Sequence, residues 1–313
     1  MPTSLTKKGL IAASDKVIVA ARPALEIISQ FTTDFSADAV KPGTGVAVDV
    51  LTATAETFAK GTANYTHATG SIKNFTVATD IRKKSTFSLD DLDCLEDETA
   101  HCWSKFGPVA GRAVAVELVK SVTGKLAYNK RAAAVTLGGT TLVDFFALKA
   151  YMEGTAEIDP STCVLLLEPT TYTALCSVLN AGIVGDGSIV RGAIIGAALG
   201  FKAIFSAPTI SLQSAAVEGA AVNKGKGFIV PENALAIVNR VVKPLKGTVG
   251  NLIEYGEVTD ELSGVTLTER VVVDPDDGEA FWTSEGLFGS KLTATDDNGN
   301  ATGAPGFYQV VTA

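Results

Sequence analysis

In Val46-Ala47-Val48-Asp49-Val50-Leu51 the valines recur at every second position, the period of a β-strand. The same period returns at Phe75 and Val77, then at Ile81, and again at Phe87 and Leu89 beyond the basic run Arg82-Lys83-Lys84. Between these regions, Glu56 to Ser71 is polar and contains Gly61 and Gly70, so residues 46–89 predict an extended two-stranded arm with a flexible tip. A lone two-stranded hairpin is marginal in water. Its apolar side, Val46, Val48, Val50, Phe75 and Val77, is therefore expected to lie on another subunit. Candidate contact residues are Glu56, Phe58, Lys60, Tyr65, His67 and Lys73 on the arm, with Arg82, Lys83 and Lys84 on its return strand. The basic run has two readings: a solvated edge, where lysines discourage unwanted pairing, or a contact with an acidic neighbour.

Working outward, residues 1–45 predict an N-terminal arm. It has a weakly amphipathic stretch from Val17 to Ile28 and then polar residues, ending at Lys41-Pro42-Gly43-Thr44-Gly45. On the other side, Ser88-Leu89-Asp90-Asp91 resembles a capping box that starts a helix, followed by Leu92, Leu95, Thr99, Cys102, Trp103 and Phe106 at helical steps. Gly107-Pro108 is expected to break or kink it, because proline lacks the N–H and clashes with the preceding turn. An Ala-rich helix then resumes from Ala110 to Leu126.

The middle third alternates element types. A helix after Thr141 has the face Leu142, Phe145, Phe146, Lys149 and Met152, and Val164-Leu165-Leu166-Leu167 reads as a strand buried on both faces. Helices are expected from Pro169 through Leu179, from Ser188 to Leu199 and from Asn233 to Arg240, with strands at Phe201–Phe205 and Gly227–Val230. Together these predict a compact α/β unit over 138–242. Asn251–Val258 and Val265–Val273 then form a β-hairpin, Asp274–Gly278 a turn that leads into Ala280-Phe281-Trp282, and residues 291–313 a turn or tail.

Composition narrows the function. The 313 residues are 46% hydrophobic and 19% charged, which excludes wholesale disorder. A net charge of −8 has the wrong sign for a chain whose main task is gripping nucleic acid. The apolar run Gly192–Phe205 is interrupted by Gly196, Gly200 and Lys202 and is shorter than the ~20 residues of a membrane span. The apolar stretch near the N-terminus stops at Asp15, too short for a signal peptide, so a cytoplasmic origin is expected. Cys94, Cys102, Cys163 and Cys176 form no C-x-x-C pair and read as reduced thiols.

Catalytic and ligand motifs fail on inspection. His101 and Cys102 are adjacent, so on a helix their side chains diverge, and His67 lies in the polar tip. Gly219 to Gly227 resembles a P-loop, but five residues intervene instead of four and Gly227 stands where Ser or Thr would hold Mg²⁺. The acidic residues Asp90, Asp91, Asp93 and Glu96 are explained by a helix N-terminus, without the spacing of a Ca²⁺ loop. No cofactor and no catalytic residue is expected.

The order of parts carries the most information: arm, long hairpin, long helix, compact α/β unit, β-return. With Leu165-Leu166-Leu167-Glu168-Pro169-Thr170-Thr171-Tyr172, Gly200-Phe201-Lys202-Ala203-Ile204-Phe205-Ser206 and Gly227-Phe228-Ile229-Val230-Pro231-Glu232-Asn233-Ala234-Leu235, it resembles the tailed-bacteriophage major capsid proteins of the Hong Kong 97-type fold over nearly the whole chain. The resemblance implies an α+β fold with an N-arm (1–45), an E-loop hairpin (46–89), a peripheral domain with spine helix (90–137 and 243–313) and an axial domain (138–242). It also implies a non-enzymatic shell subunit in the virion, assembled in the host cytoplasm as hexamers and pentamers, with double-stranded DNA as enclosed cargo. A portal, a separate scaffolding protein and decoration proteins are the implied partners, and no membrane is involved. The initiating Met1 favours separate scaffolding over a removed N-terminal segment. An encapsulin-like compartment, or an α/β enzyme with an unrecognised site, are the alternatives.

Overall fold

A computed structural model describes residues 7–52, 71–89, 99–126, 130–182, 199–206, 225–242, 252–273, 280–294 and 305–312. The helices are α1 (Lys7–Ile28), α2 (Thr99–Thr123), α3 (Leu142–Gly154) and α4 (Pro169–Gly182). The first strands are β1 (Thr32–Ala39), β2 (Gly45–Thr52), β3 (Ser71–Ala78), β4 (Ile81–Leu89), β5 (Ala133–Leu137) and β6 (Cys163–Leu167). They are followed by β7 (Ala203–Ser206), β8 (Gly225–Pro231), β9 (Leu235–Val241), β10 (Leu252–Thr259), β11 (Thr266–Val273), β12 (Ala280–Leu292) and β13 (Tyr308–Thr312). Helices and sheets of largely antiparallel pairing make this an α+β protein.

The axis of the larger sheet is β12. One edge pairs with β4, and the other pairs first with β11 and then with β9. β10 extends the sheet beyond β11, and β1 lies parallel to β9. Residues opposite one another in a ladder share a face, so Trp282, Ser284, Gly286 and Phe288 point to the inner side, covered by α1 and α2. Gly286 lets the helix come close, since a Cβ there would lie 2.8 Å from Leu118 Cδ1. The two helices approach just as closely at Gly111, where a Cβ would stand 2.5 Å from the Val17 carbonyl oxygen. Val17, Ala21, Leu25, Val114, Leu118 and Val122 fill the space between helices and sheet.

The smaller sheet has the order β5-β13-β8-β6-β7. Its side-chain alternation divides two cores. Val164, Leu166, Phe228 and Val230 join the α1/α2 core, whereas Leu165, Leu167, Ile229 and Val310 face Phe145, Leu148, Met152, Leu175 and Leu179 of α3 and α4. This explains the all-apolar run of β6, which is wholly buried as its sequence predicts. α3 begins at Thr141, whose backbone N–H donates to Asp144 Oδ2 at 2.8 Å. α4 begins at Pro169, as expected.

Several expectations are corrected. Residues 7–45 are not an extended arm: α1 packs in the core and β1 pairs with β9. α2 runs through Pro108 unbroken, and Ser88-Leu89 end a strand instead of starting a helix. Asn233 to Arg240 is not a helix: a 3-10 turn at Glu232–Ala234 leads into β9, buried at every position, as β-branched Ile237, Val238 and Val241 suit. Phe146 is 43% exposed, so the buried face of α3 is Phe145, Leu148 and Met152. The C-terminal residues 308–312 are no tail but a central strand between β5 and β8. The unit drawn at 138–242 therefore gains β5 and β13 and gives up β9 to the larger sheet. The expected helix over 188–199 and the turn at 274–278 lie outside the described residues, apart from Leu199.

Candidate functional site

The outer face of the larger sheet carries the features singled out in the sequence. β2 and β3 pair antiparallel from Gly45–Ala78 to Thr52–Ser71, forming a two-stranded ribbon of their own. Its neck is closed by Gly43 N–H donating to the Thr79 carbonyl at 2.7 Å and Thr79 N–H to the Thr44 carbonyl at 3.0 Å. Asp49 and Asn74 pair across the exposed face at 2.9 Å. Val48, Val50, Phe75 and Val77 are buried on the other face, as the alternation predicts.

Their partner differs from the expectation. At the foot of the ribbon Val48 and Val77 pack on Ala236 and Val238 of β9, with Val46 beside them, so this part docks on its own chain. Gly289 permits the crossing, since a Cβ there would be 2.3 Å from the Ala78 carbonyl oxygen and 3.0 Å from Val77 Cγ1. Lys291 then clasps the foot: its Nζ donates to the Thr76 carbonyl at 3.3 Å and lies 5.7 Å from the centroid of the Phe75 ring. β4 leaves the ribbon altogether and pairs with β12, because Ile81 belongs to the α1/α2 core.

The basic run consequently sits on the large sheet. Arg82 and Lys84 are on its outer face, opposite Leu287 and Glu285, while Lys83 is half-buried on the helix side. Arg82 is engaged within the chain, its Nε donating to Glu285, and Arg270 donates to the other oxygen of the same carboxylate. Glu285 is fully buried beneath these two guanidinium groups. Burial, and then repulsion from Arg82, lowers the Arg270 pKa. Nearby, burial followed by the hydrogen bond to Glu257, 3.0 Å away, holds the Tyr255 phenol well above its usual range. Glu285 thus answers two arginines, with Lys84 opposite it and Glu257 on the same face, leaving one more cation than carboxylates among these residues.

Glu56, Phe58, Lys60, Tyr65 and His67 lie outside the described residues, and Lys73 is placed only by its register opposite Val50. Gly289, Lys291, Arg270 and Glu285 were missed by sequence reasoning. Glycine inside a strand marks close backbone approach, and that signal at Gly286 and Gly289 could have located the crossing.

Among the described residues, no three His, Cys, Asp or Glu side chains converge as a metal site. No described helix is long and apolar enough to cross a membrane. Cys163 and Cys176 are free thiols.

No protein-family model matches the chain, and no curated protein matches it. Among solved structures it is similar to the capsid of the cyanophage P-SCSP1u, at 12% identity over 91% of this chain and 86% of that one, with a TM-score of 0.47. A virus-like particle from Pyrococcus furiosus matches at 10% identity over 95% and 98%, with a TM-score of 0.49. The capsid of a native GTA particle matches at 12% identity over 93% and 90%, with a TM-score of 0.47. All three scores are below 0.5, so the functional reading is drawn from this chain's own residues.

Proposed function

We propose that this chain is a shell-forming subunit, the major capsid protein of a tailed-phage head with the Hong Kong 97-type fold. The observation that carries the reading is the β2–β3 ribbon. It is docked at its foot on β9, and among the described residues it pairs with neither larger sheet. A ribbon with two open edges is a liability for an isolated protein and an asset for one that overlaps its neighbours. The strand–helix–strand segment of the smaller sheet, with the motifs quoted above, supports the same reading. The smaller sheet with α3 and α4 would be the axial domain and the larger sheet with α2 the peripheral domain.

In this account the chain assembles as hexamers and pentamers around double-stranded DNA, in the virion after assembly in host cytoplasm. A scaffolding protein, a portal and decoration proteins are its partners. Glu56, Phe58, Lys60, Tyr65, His67 and Lys73 supply ribbon contacts to a neighbour. Lys84, on the excess-positive strip, is the member of the basic run best placed to meet an acidic one, and no residue has a catalytic role. Replacing residues 53–70 with an Asn-Gly turn tests this, since Thr52 and Ser71 are the last paired residues and such a turn closes a hairpin with little strain. The shortened chain should stay soluble and melt cooperatively yet fail to form normal shells. Normal shells from it would refute the ribbon's role.

A further inference from the structure

A pocket of about 550 Å³ opens beside the end of β12, lined from both sheets. Phe307, Leu292 and Ala234 give it an apolar floor, and Lys125, Lys130 and Arg131 a cationic rim. Among the described residues no acidic side chain lines it, in a chain whose net charge is −8. Two lysines outside it do meet carboxylates, Lys202 with Glu232 at 2.7 Å and Lys226 with Glu168 at 3.1 Å. Lys125 and Lys130 have no such partner among the described residues. Ser290 lines the pocket and is only 8% exposed, yet its hydroxyl has no hydrogen-bond partner among the described residues. Arg131 is oriented by donating to Gln309 Oε1, and the buried Gln309 Nε2 is also without a partner there.

Buried hydroxyl and amide groups are ordinarily satisfied. An unpartnered buried hydroxyl beside three cations is what an oxyanion would complete, and charge-assisted bonds to such an anion are the strong ones. The volume exceeds what a bare phosphate needs and lies in the range of small-molecule sites. The geometry points to a site for an organic oxyanion: a phosphate or carboxylate held by Lys125, Lys130, Arg131 and Ser290, with its apolar body against Phe307 and Leu292. Phosphate esters and carboxylates share this chemistry, and the site does not depend on shell assembly.

Calorimetric titration of the full, unassembled chain with phenyl phosphate and separately with benzoate tests the proposal, with neutral phenol as control. At least one anion should bind while phenol does not, and the tighter anion names the headgroup. Lys125→Ala/Lys130→Ala should weaken binding by about tenfold or more, in keeping with the loss of charge-assisted bonds. Ser290→Ala should weaken it by about threefold without lowering the melting temperature, because the hydroxyl has no partner to lose within the described protein. Lys226→Ala, outside the pocket, should bind as wild type does. Failure of both anions to bind, or binding unchanged in both pocket variants, would overturn the site.

Discussion

The Asn239 side chain pairs with the backbone of Thr266 as a neighbouring strand would. Its Oδ1 accepts the Thr266 N–H at 2.7 Å, and its Nδ2 donates to the Thr266 carbonyl at 3.1 Å. The same nitrogen donates to the Leu287 carbonyl at 3.2 Å. Asn239 stands where the ladder along β12 passes from β11, which pairs as far as Glu285, to β9, which begins at Leu287. A side-chain amide thus fills the gap between two successive partners of one long strand, and Asn239 is fully buried there.

Asn239→Leu should therefore leave the Thr266 N–H and the Leu287 carbonyl without their side-chain partner. Orphaning buried groups costs about 1–3 kcal/mol each, so urea denaturation should show a loss of about 2–4 kcal/mol. Asn239→Asp should also destabilise, because it keeps the acceptor but loses the donor and buries a charge. A variant within about 0.5 kcal/mol of wild type, the scale of an ordinary surface change, would contradict this role.

Gly289→Ala should lift the foot of the ribbon, since the new methyl would meet the Ala78 carbonyl oxygen at 2.3 Å. Overpacking of this kind costs about 1–3 kcal/mol. Amide exchange should accelerate at residues 45–50 and 73–78 while the α1/α2 core stays protected. Gly154→Ala is the control: a Cβ there meets nothing within 4 Å, and it should be neutral or stabilising by up to about 1 kcal/mol. Equal effects from the two substitutions would argue against the docking.

Acid should loosen the tie between α1 and the β10–β11 turn. Burial works to raise the Asp260 pKa. Hydrogen bonds from Ser263 Oγ at 2.7 Å, Arg22 Nε at 2.8 Å and Ser263 N–H at 3.0 Å outweigh it, leaving the pKa lowered. A carboxylate with a depressed folded pKa adds stability above its unfolded value, about 3.9, and loses it as pH falls through the folded value. The stability gap between wild type and Asp260→Asn should be flat from neutral pH to about 5 and shrink below about 4. A gap that widens on acidification would reverse the sign.

Burial pushes the Cys163 thiol up to about 12, while Cys176 is only half-buried. A thiol reagent at mild alkaline pH should label Cys176 well before Cys163 in the native protein, since the thiolate is the reactive form. Titration of the denatured chain without reductant should find all four cysteines free. Faster labelling of Cys163 would contradict its burial.

What could be read from the sequence was what local pattern decides. Val46 to Val50 and Phe75 to Val77 alternate because one face is covered, and Cys163–Leu167 is apolar throughout because both faces are. Pro169 and Thr141 mark helix starts through their own backbone chemistry. The misses were decided by distant residues. Ala234-Leu235-Ala236-Ile237 reads as a helix until β1 and β12 flank it. Residues 308–312 read as a tail because their neighbours, β5 and β8, lie far back in the chain. The ribbon itself was legible, but its landing place depends on Gly289 and Ala236, which no short window of sequence connects to Val77.

The central claim is that this chain builds closed shells, and negative-stain electron microscopy of the purified chain together with its scaffolding protein tests it most directly. The sample would be concentrated at neutral pH with a crowding agent across a range of salt, because contacts between charged rims are screened as salt rises. The account predicts closed particles of uniform size, or rings of five and six subunits, that weaken with ionic strength. Monodisperse single subunits at every concentration and salt, with scaffold present, would contradict it.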